Sequence, residues 1–233
     1  MGEKVQISGR VCLNCGAVYE DASTRFCIAC LRSGTIAPQF HRPADAILPT
    51  TPSISAKELL RAQHRTFRCK AYPEIVLSED AFVLVYGLPG NGKTLFSLLF
   101  AAGMTPCAYL PLEEKIGPSL ASKLGYLEIH SETLTFHEPQ SVNEIVELGA
   151  SNGMRCLAID SVNVSTLQPN DCLKLARGNK IVVLGVSQVT KAGGPRGSND
   201  WVHLADVVIQ VSALKWTVTK SRFQQANVGG AVT

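Results

Sequence analysis

No run of apolar residues in this chain approaches the roughly 20 needed to cross a bilayer as a helix. The opening residues, Met1-Gly2-Glu3-Lys4-Val5-Gln6, lack the apolar core of a secretory signal. The expectation is therefore a soluble, cytoplasmic protein with no membrane partner. Strong charge of either sign is missing too, since the formal net charge is +3 and the isoelectric point about 8.4. That balance is compatible with nucleic acid but is no argument for it. Charged residues make up 18% and hydrophobic residues 45%, which excludes a disordered chain. A length of 233 residues has room for one large domain, or a medium one and a small one.

What the chain does contain is Gly87-Leu88-Pro89-Gly90-Asn91-Gly92-Lys93-Thr94, a full match to the phosphate-binding loop pattern G-x-x-x-x-G-K-[ST]. The apolar run Ala81-Phe82-Val83-Leu84-Val85-Tyr86 precedes it and reads as a buried strand. Leu95 to Ala102 follows and reads as a helix. Glycines let the backbone curl so that its N–H groups point at phosphates, and the helix N-terminus adds partial positive charge. Lys93 would bridge the phosphates of ATP, and the Thr94 hydroxyl would ligate Mg²⁺. Nucleotide binding is the expectation.

Eight cysteines would otherwise suggest disulfides, but four fall in two C-x-x-C pairs, Cys12/Cys15 and Cys27/Cys30. Two such knuckles joined by a hairpin make a tetrahedral sulfur site for Zn²⁺, with Gly16 suiting the turn. A redox dithiol is the alternative. Cys107 and Cys156 fall in expected buried strands and read as small core residues. Between Ser33 and Pro52 the prolines at 38, 43, 49 and 52 mark a linker. Ser55 and Glu58 then form a capping box, Ile54 can staple onto Leu59, and a helix to about Arg68 is expected. It carries Lys57, Arg61, Arg65 and Arg68, with Lys70 beyond. These could meet DNA or a neighbouring subunit, although a solvated helix face is the plainer reading.

From Ile75 onward short apolar runs alternate with helical patterns, which predicts an α/β fold with a mostly parallel sheet. The strand at Pro106–Leu110 leads to Glu113 and Glu114. A carboxylate there can orient and deprotonate attacking water, with Glu113 the first choice. Ser141 and Glu144 form another capping box, opening a helix to about Ser151. The strand Arg155–Asp160 ends in a carboxylate suited to the Mg²⁺ shell beside Thr94. The next strand, from Lys180 to Val186, leads to Gln188, an amide able to sense a γ-phosphate. The loop beyond is Gly-rich and basic, with Lys191 and Arg196 as candidate contacts to a nucleic-acid backbone; an ordinary flexible loop is the alternative. Strands at 206–211 and 215–219 follow. Lys220 and Arg222 share one side of the chain end and could reach a neighbouring subunit's γ-phosphate.

Taken in order, these motifs resemble the RadA/Sms family of bacterial DNA-repair ATPases, within the wider RecA-like and DnaB-like group. The four N-terminal cysteines match its zinc ribbon, and Gly87–Thr94 its phosphate loop. Tyr109-Leu110-Pro111-Leu112-Glu113-Glu114 resembles its Y-h-x-G-E-E segment, and Leu157-Ala158-Ile159-Asp160-Ser161 its hhhIDS segment. Gln188-Val189-Thr190-Lys191-Ala192-Gly193 is similar to H-V-T-K-x-G, Trp201–Val208 to L-E-H-h-h-D-h-h, and Lys220-Ser221-Arg222-Phe223-Gln224 to K-N-R-F-G. Gln188 stands where that family has His, as in RecA and DnaB helicases; Ser221 and Gln224 replace its Asn and Gly. The Gly-rich lead-in before the first core strand is missing, and the chain stops at Thr233 without the family's Lon-protease-like domain. Such a shortened form suits a bacterial or phage protein in the host cytoplasm.

The resemblance implies a zinc ribbon at 1–36, a linker and helix at 37–74 and a RecA-like ATPase core at 75–233. It implies a hexameric ring, with ATP hydrolysed at subunit interfaces, single-stranded DNA as partner, and recombination or replication proteins nearby. A motor or helicase-type translocase in DNA repair is the leading expectation. An ATP-switched annealing or regulatory module with little motor activity is the alternative. A small-molecule kinase using the same loop is weaker, since no acceptor-binding lid is evident.

Overall fold

The structure, a computed structural model, describes residues 54–61, 66–189 and 199–232, together with the backbone of three short strands nearer the N-terminus. The chain divides into two units, Met1–Ala62 and Gln63–Thr233. In the first, β1 (Arg10–Cys12) pairs antiparallel with β2 (Val18–Tyr19) and with β3 (Phe40–His41). The small sheet thus draws in chain beyond residue 36, where a linker is expected. The side chains of Cys12, Cys15, Cys27 and Cys30 lie outside the described residues, as do Lys191 and Arg196. Among the described residues no group of three or more His, Cys, Asp or Glu is placed to hold a metal. No helix among them is long and apolar enough to cross a membrane.

The capping box at Ser55 forms: the Glu58 N–H donates to Ser55 Oγ at 3.2 Å and the Ser55 N–H to Glu58 Oε2 at 2.9 Å. Both members of the expected staple, Ile54 and Leu59, stay exposed. Helix α1 (Ala56–Arg61) is shorter than its pattern predicts, because Thr66–Arg68 is already a strand, β4, paired with β5 (Val76–Ser78). The cause is burial. Cys69, Tyr72, Ile75 and Leu77 all enter the core of the second unit. Tyr72 stacks on Phe96 with centroids 4.4 Å apart and meets Trp216 edge-on at 5.3 Å. The core unit therefore begins near Gln63 rather than at Ile75.

Its chain runs β6 (Phe82–Gly87), α2 (Lys93–Gly103), β7 (Cys107–Pro111), α3 (Pro118–Tyr126), β8 (Leu134–Phe136), α4 (Val142–Gly149), β9 (Cys156–Asp160), α5 (Pro169–Asn179) and β10 (Val182–Gln188). Then follow α6 (Asp200–Leu204), β11 (Val207–Ser212), β12 (Lys215–Ser221) and β13 (Gly229–Ala231). The sheet has eight strands in the order β13-β12-β11-β6-β10-β9-β7-β8. From β11 to β8 it is parallel, and β12 and β13 join antiparallel. Strand periodicity divides the side chains between two layers. Val83, Val85, Tyr109, Ala158 and Val186 face α2 and the β4–β5 hairpin; Phe82, Leu84, Leu110, Ile159 and Val183 face α4, α5 and α6. Both faces are covered, which is why these strands read as continuous apolar runs.

Lys180, expected to open a strand, instead ends α5 with a left-handed φ of 52°. Helix α5 starts from a reciprocal cap, the Gln168 N–H donating to Asp171 Oδ2 at 3.0 Å. The described cysteines, Cys69, Cys107, Cys156 and Cys172, are free and buried. Burial pushes the Cys69 thiol up to about 11 and the Cys172 thiol to about 12.

Tyr72 tests the lead-in. Its ring is buried, while its hydroxyl has no partner among the described residues. Tyr72→Ala is expected to remove about 3 kcal/mol from the unfolding free energy, read by chemical denaturation. Tyr72→Phe is expected to be neutral or stabilising, since it removes an unpaired buried polar atom.

Candidate nucleotide site

Strand β6 delivers Gly87 to the carboxyl edge of the sheet, where ligands of open α/β sheets bind. No side chain fits at Gly87, because a Cβ there would stand 2.1 Å from the Val211 carbonyl oxygen on neighbouring β11. The loop then turns through Gly90 (φ +77°) and Gly92 (φ +95°), both left-handed. Gly92 is the N-cap of α2, which has no side-chain cap and no acidic residue in its first turn. The N–H groups at that terminus are left for an anion from outside the helix. A cleft of about 420 Å³ opens here, lined by Gly90, Gly92, Lys93, Thr94, Leu95 and Lys123. The Lys93 ammonium donates to the Leu88 carbonyl at 3.0 Å. Burial lowers its pKa, and the carboxylates of Asp160 and Glu113 oppose that shift.

The β11–β12 turn braces the loop from the other side. Its residues, Ala213 and Leu214, hold left-handed φ values of 48° and 59°. The Leu214 N–H donates to the Asn91 carbonyl at 3.2 Å. Its side chain fills the space a Cβ on Gly92 would need.

Strand β10 lies between β6 and β9, so the ends of β9 and β7 stand beside the loop. At the end of β9, Asp160 Oδ2 accepts from the Thr94 hydroxyl at 2.9 Å and from the Tyr109 hydroxyl at 2.9 Å. Burial raises the Asp160 pKa, and these two donors pull it back down. A hydroxyl and a carboxylate in contact are the hard oxygen donors Mg²⁺ takes, and phosphates commonly complete its shell. Thr94 and Asp160 therefore fit that ion.

Glu113 and Glu114 part company. The Glu113 N–H donates to the Asp160 carbonyl at 3.1 Å, and its Oε1 accepts from the Gln188 amide at 2.8 Å. Glu114 turns away and receives Lys123 on both carboxylate oxygens at 2.7 Å and Ser119 Oγ at 3.0 Å. Gln188 is itself held, its N–H donating to Asn163 Oδ1 at 2.8 Å. The fold thus gathers Lys93, Thr94, Glu113, Asp160 and Gln188 at one edge. Sequence reasoning missed Ser97, Asn163 and Lys123, and took Tyr109 only as part of a motif.

Lys220 and Arg222 are at the opposite edge. The Arg222 N–H donates to the Asp206 carbonyl at 3.0 Å, level with Phe82 at the start of β6. Five residues of strand, about 17 Å, separate Phe82 from Gly87. The Lys220 ammonium donates to the carbonyls of Val202, His203 and Ala205 at 2.7, 2.9 and 2.8 Å, closing the C-terminal end of α6. Arg222 pairs with the buried Asp206 at 3.2 Å.

No protein-family profile matches the chain, and no curated protein matches it. Among solved structures it is similar to the ATPase domain of a DnaB-like helicase, with a TM-score of 0.51 and 19% identity, over 65% of this chain and 81% of that one. The likeness is one of fold, an α/β RecA-like domain with a mostly parallel sheet.

Removing the Lys93 ammonium is expected to weaken binding of a triphosphate. Lys93→Ala should raise the Kd for fluorescent ATP at least about tenfold, the order of one lost charge-assisted hydrogen bond in a low-dielectric cleft.

Proposed function

We propose that this chain is an ATP-hydrolysing, RecA-like motor that acts on single-stranded DNA, with ATP turned over between subunits of a homo-oligomeric ring. The observation that carries the reading is the pairing of Glu113 with Gln188 next to Asp160 and the phosphate loop. The triphosphate would lie along Gly87–Thr94, against the free N–H groups of α2 and the Lys93 ammonium. Thr94 and Asp160 would hold Mg²⁺, which screens the charge on the phosphate oxygens. Gln188 engages Oε1 of Glu113, so Oε2 can take the proton of the water that attacks the γ-phosphorus.

Lys220 and Arg222 stand too far from this chain's own loop to serve it. Any triphosphate they meet belongs to another copy, which supports a site completed in trans. Arg222 is the better candidate of the two, because Lys220 already donates to three carbonyls. Lys191 and Arg196 would contact the DNA backbone. The order of motifs supports a RadA/Sms-like role in repair or recombination, with Zn²⁺ on Cys12, Cys15, Cys27 and Cys30.

ATP hydrolysis with and without single-stranded DNA, read alongside mass in solution, tests the reading. Stimulation by DNA is expected. Slow turnover indifferent to any polynucleotide, with ATP-dependent assembly, would favour the annealing or regulatory module instead. Glu113→Gln is expected to lower kcat at least about 100-fold with ATP binding retained, whereas Glu114→Gln changes it less than about threefold.

A further inference from the structure

Strand β7 carries Cys107, Ala108, Tyr109, Leu110 and Pro111, all buried. Among these apolar neighbours a phenol adds nothing to packing that a phenyl ring would not. Its hydroxyl, however, sits between two polar groups. It donates to Asp160 Oδ2 at 2.9 Å and stands 2.7 Å from Ser97 Oγ. A phenol has one proton, and the carboxylate takes it, so the Ser97 hydroxyl must donate to the phenol oxygen. Ser97 is also buried and lies three residues after Thr94 on α2, within 3.0 Å of the Thr94 carbonyl.

Two donors from different elements therefore converge on one oxygen of Asp160. Thr94 approaches from the phosphate-loop helix and Tyr109 from β7. This fixes the rotation of the carboxylate, and Oδ1 has no hydrogen-bond partner among the described residues. We propose that Tyr109 is a positioning residue for the divalent cation, holding Asp160 through the Ser97–Tyr109–Asp160 chain so that a set oxygen faces the phosphate loop. The proposal rests on the reading of Thr94 and Asp160 as the Mg²⁺ site. Without the phenol, Asp160 keeps Thr94 but is free to rotate about its own side-chain bonds, and the ordering must then come from the cation itself.

The test titrates Mg²⁺ against the full chain and its Tyr109→Phe variant. Two readouts are taken: ATP hydrolysis, and affinity for mant-ADP in Mg²⁺ or in EDTA. The Mg²⁺ concentration for half-maximal hydrolysis is expected to rise roughly tenfold, the usual scale for a residue that orients a metal ligand. The rate at saturating Mg²⁺ should fall less than about threefold, and mant-ADP affinity in EDTA should change less than about twofold. Ser97→Ala, which removes the donor to the phenol oxygen, should shift the Mg²⁺ requirement in the same direction, by about threefold. It decides the matter if Tyr109→Phe does not fold. An unchanged Mg²⁺ requirement overturns the proposal, and so does an equal loss of mant-ADP affinity in Mg²⁺ and in EDTA, the mark of a packing role. Wild-type protein that binds mant-ADP no more tightly in Mg²⁺ than in EDTA, and hydrolyses ATP without Mg²⁺, would instead bring down the cation site and this proposal with it.

Discussion

An aspartate carboxylate that is 6% exposed has to be supplied with donors or give up its charge. Asp160 is in that position, and its needs set much of the surrounding architecture. One donor comes from the helix that follows the phosphate loop and one from the middle of β7. Its carbonyl takes a third, the N–H of Glu113. The loop, the strand that carries the acid and the segment bearing Glu113 are tied together through one residue. Asn163, three positions further along, extends the tie to β10 by fixing the backbone of Gln188. The crossover that puts β10 between β6 and β9 makes this possible, because it brings three strand ends within side-chain reach of each other.

Much of this was legible in the sequence for a simple reason. Strands buried on both faces appear as uninterrupted apolar runs, and the polar residue that ends each run marks the carboxyl edge. Gly87–Thr94, Glu113, Asp160 and Gln188 are all found that way. The lead-in to the core was not legible. Cys69, Tyr72, Ile75 and Leu77 reach the interior from a hairpin and a turn, so their spacing follows neither a helix nor a strand period. Helix α5 was missed because its buried face is only Pro169, Cys172, Leu175 and Ala176, a weak stripe in a polar segment. Tyr109 passed for a core aromatic, since nothing in a strand pattern shows that a hydroxyl will meet a carboxylate 51 positions away.

A second buried carboxylate anchors the other end of the sheet. Asp206 Oδ2 accepts from the Phe82 N–H at 3.0 Å, and its side chain faces Arg222 at 3.2 Å and Arg177 at 3.7 Å. Exposed ion pairs contribute little to stability, but this one caps the first residue of β6 and fixes where that strand begins. Lys220 performs a related service for α6, the short helix that receives the chain after the Lys191–Arg196 loop. The cations at this edge are thus part of its framework.

The left-handed turn at Ala213 and Leu214 gives β12 an unusual standing. One end of this strand rests on the phosphate loop through Leu214 and Asn91; the other carries Lys220 and leads to Arg222. Seven paired residues, about 20 Å of extended backbone, join the two without a hinge. Such a segment behaves as a push-rod. A shift of the loop at its near end displaces the guanidinium at its far end, and the far end is the one exposed to whatever molecule stands next to it.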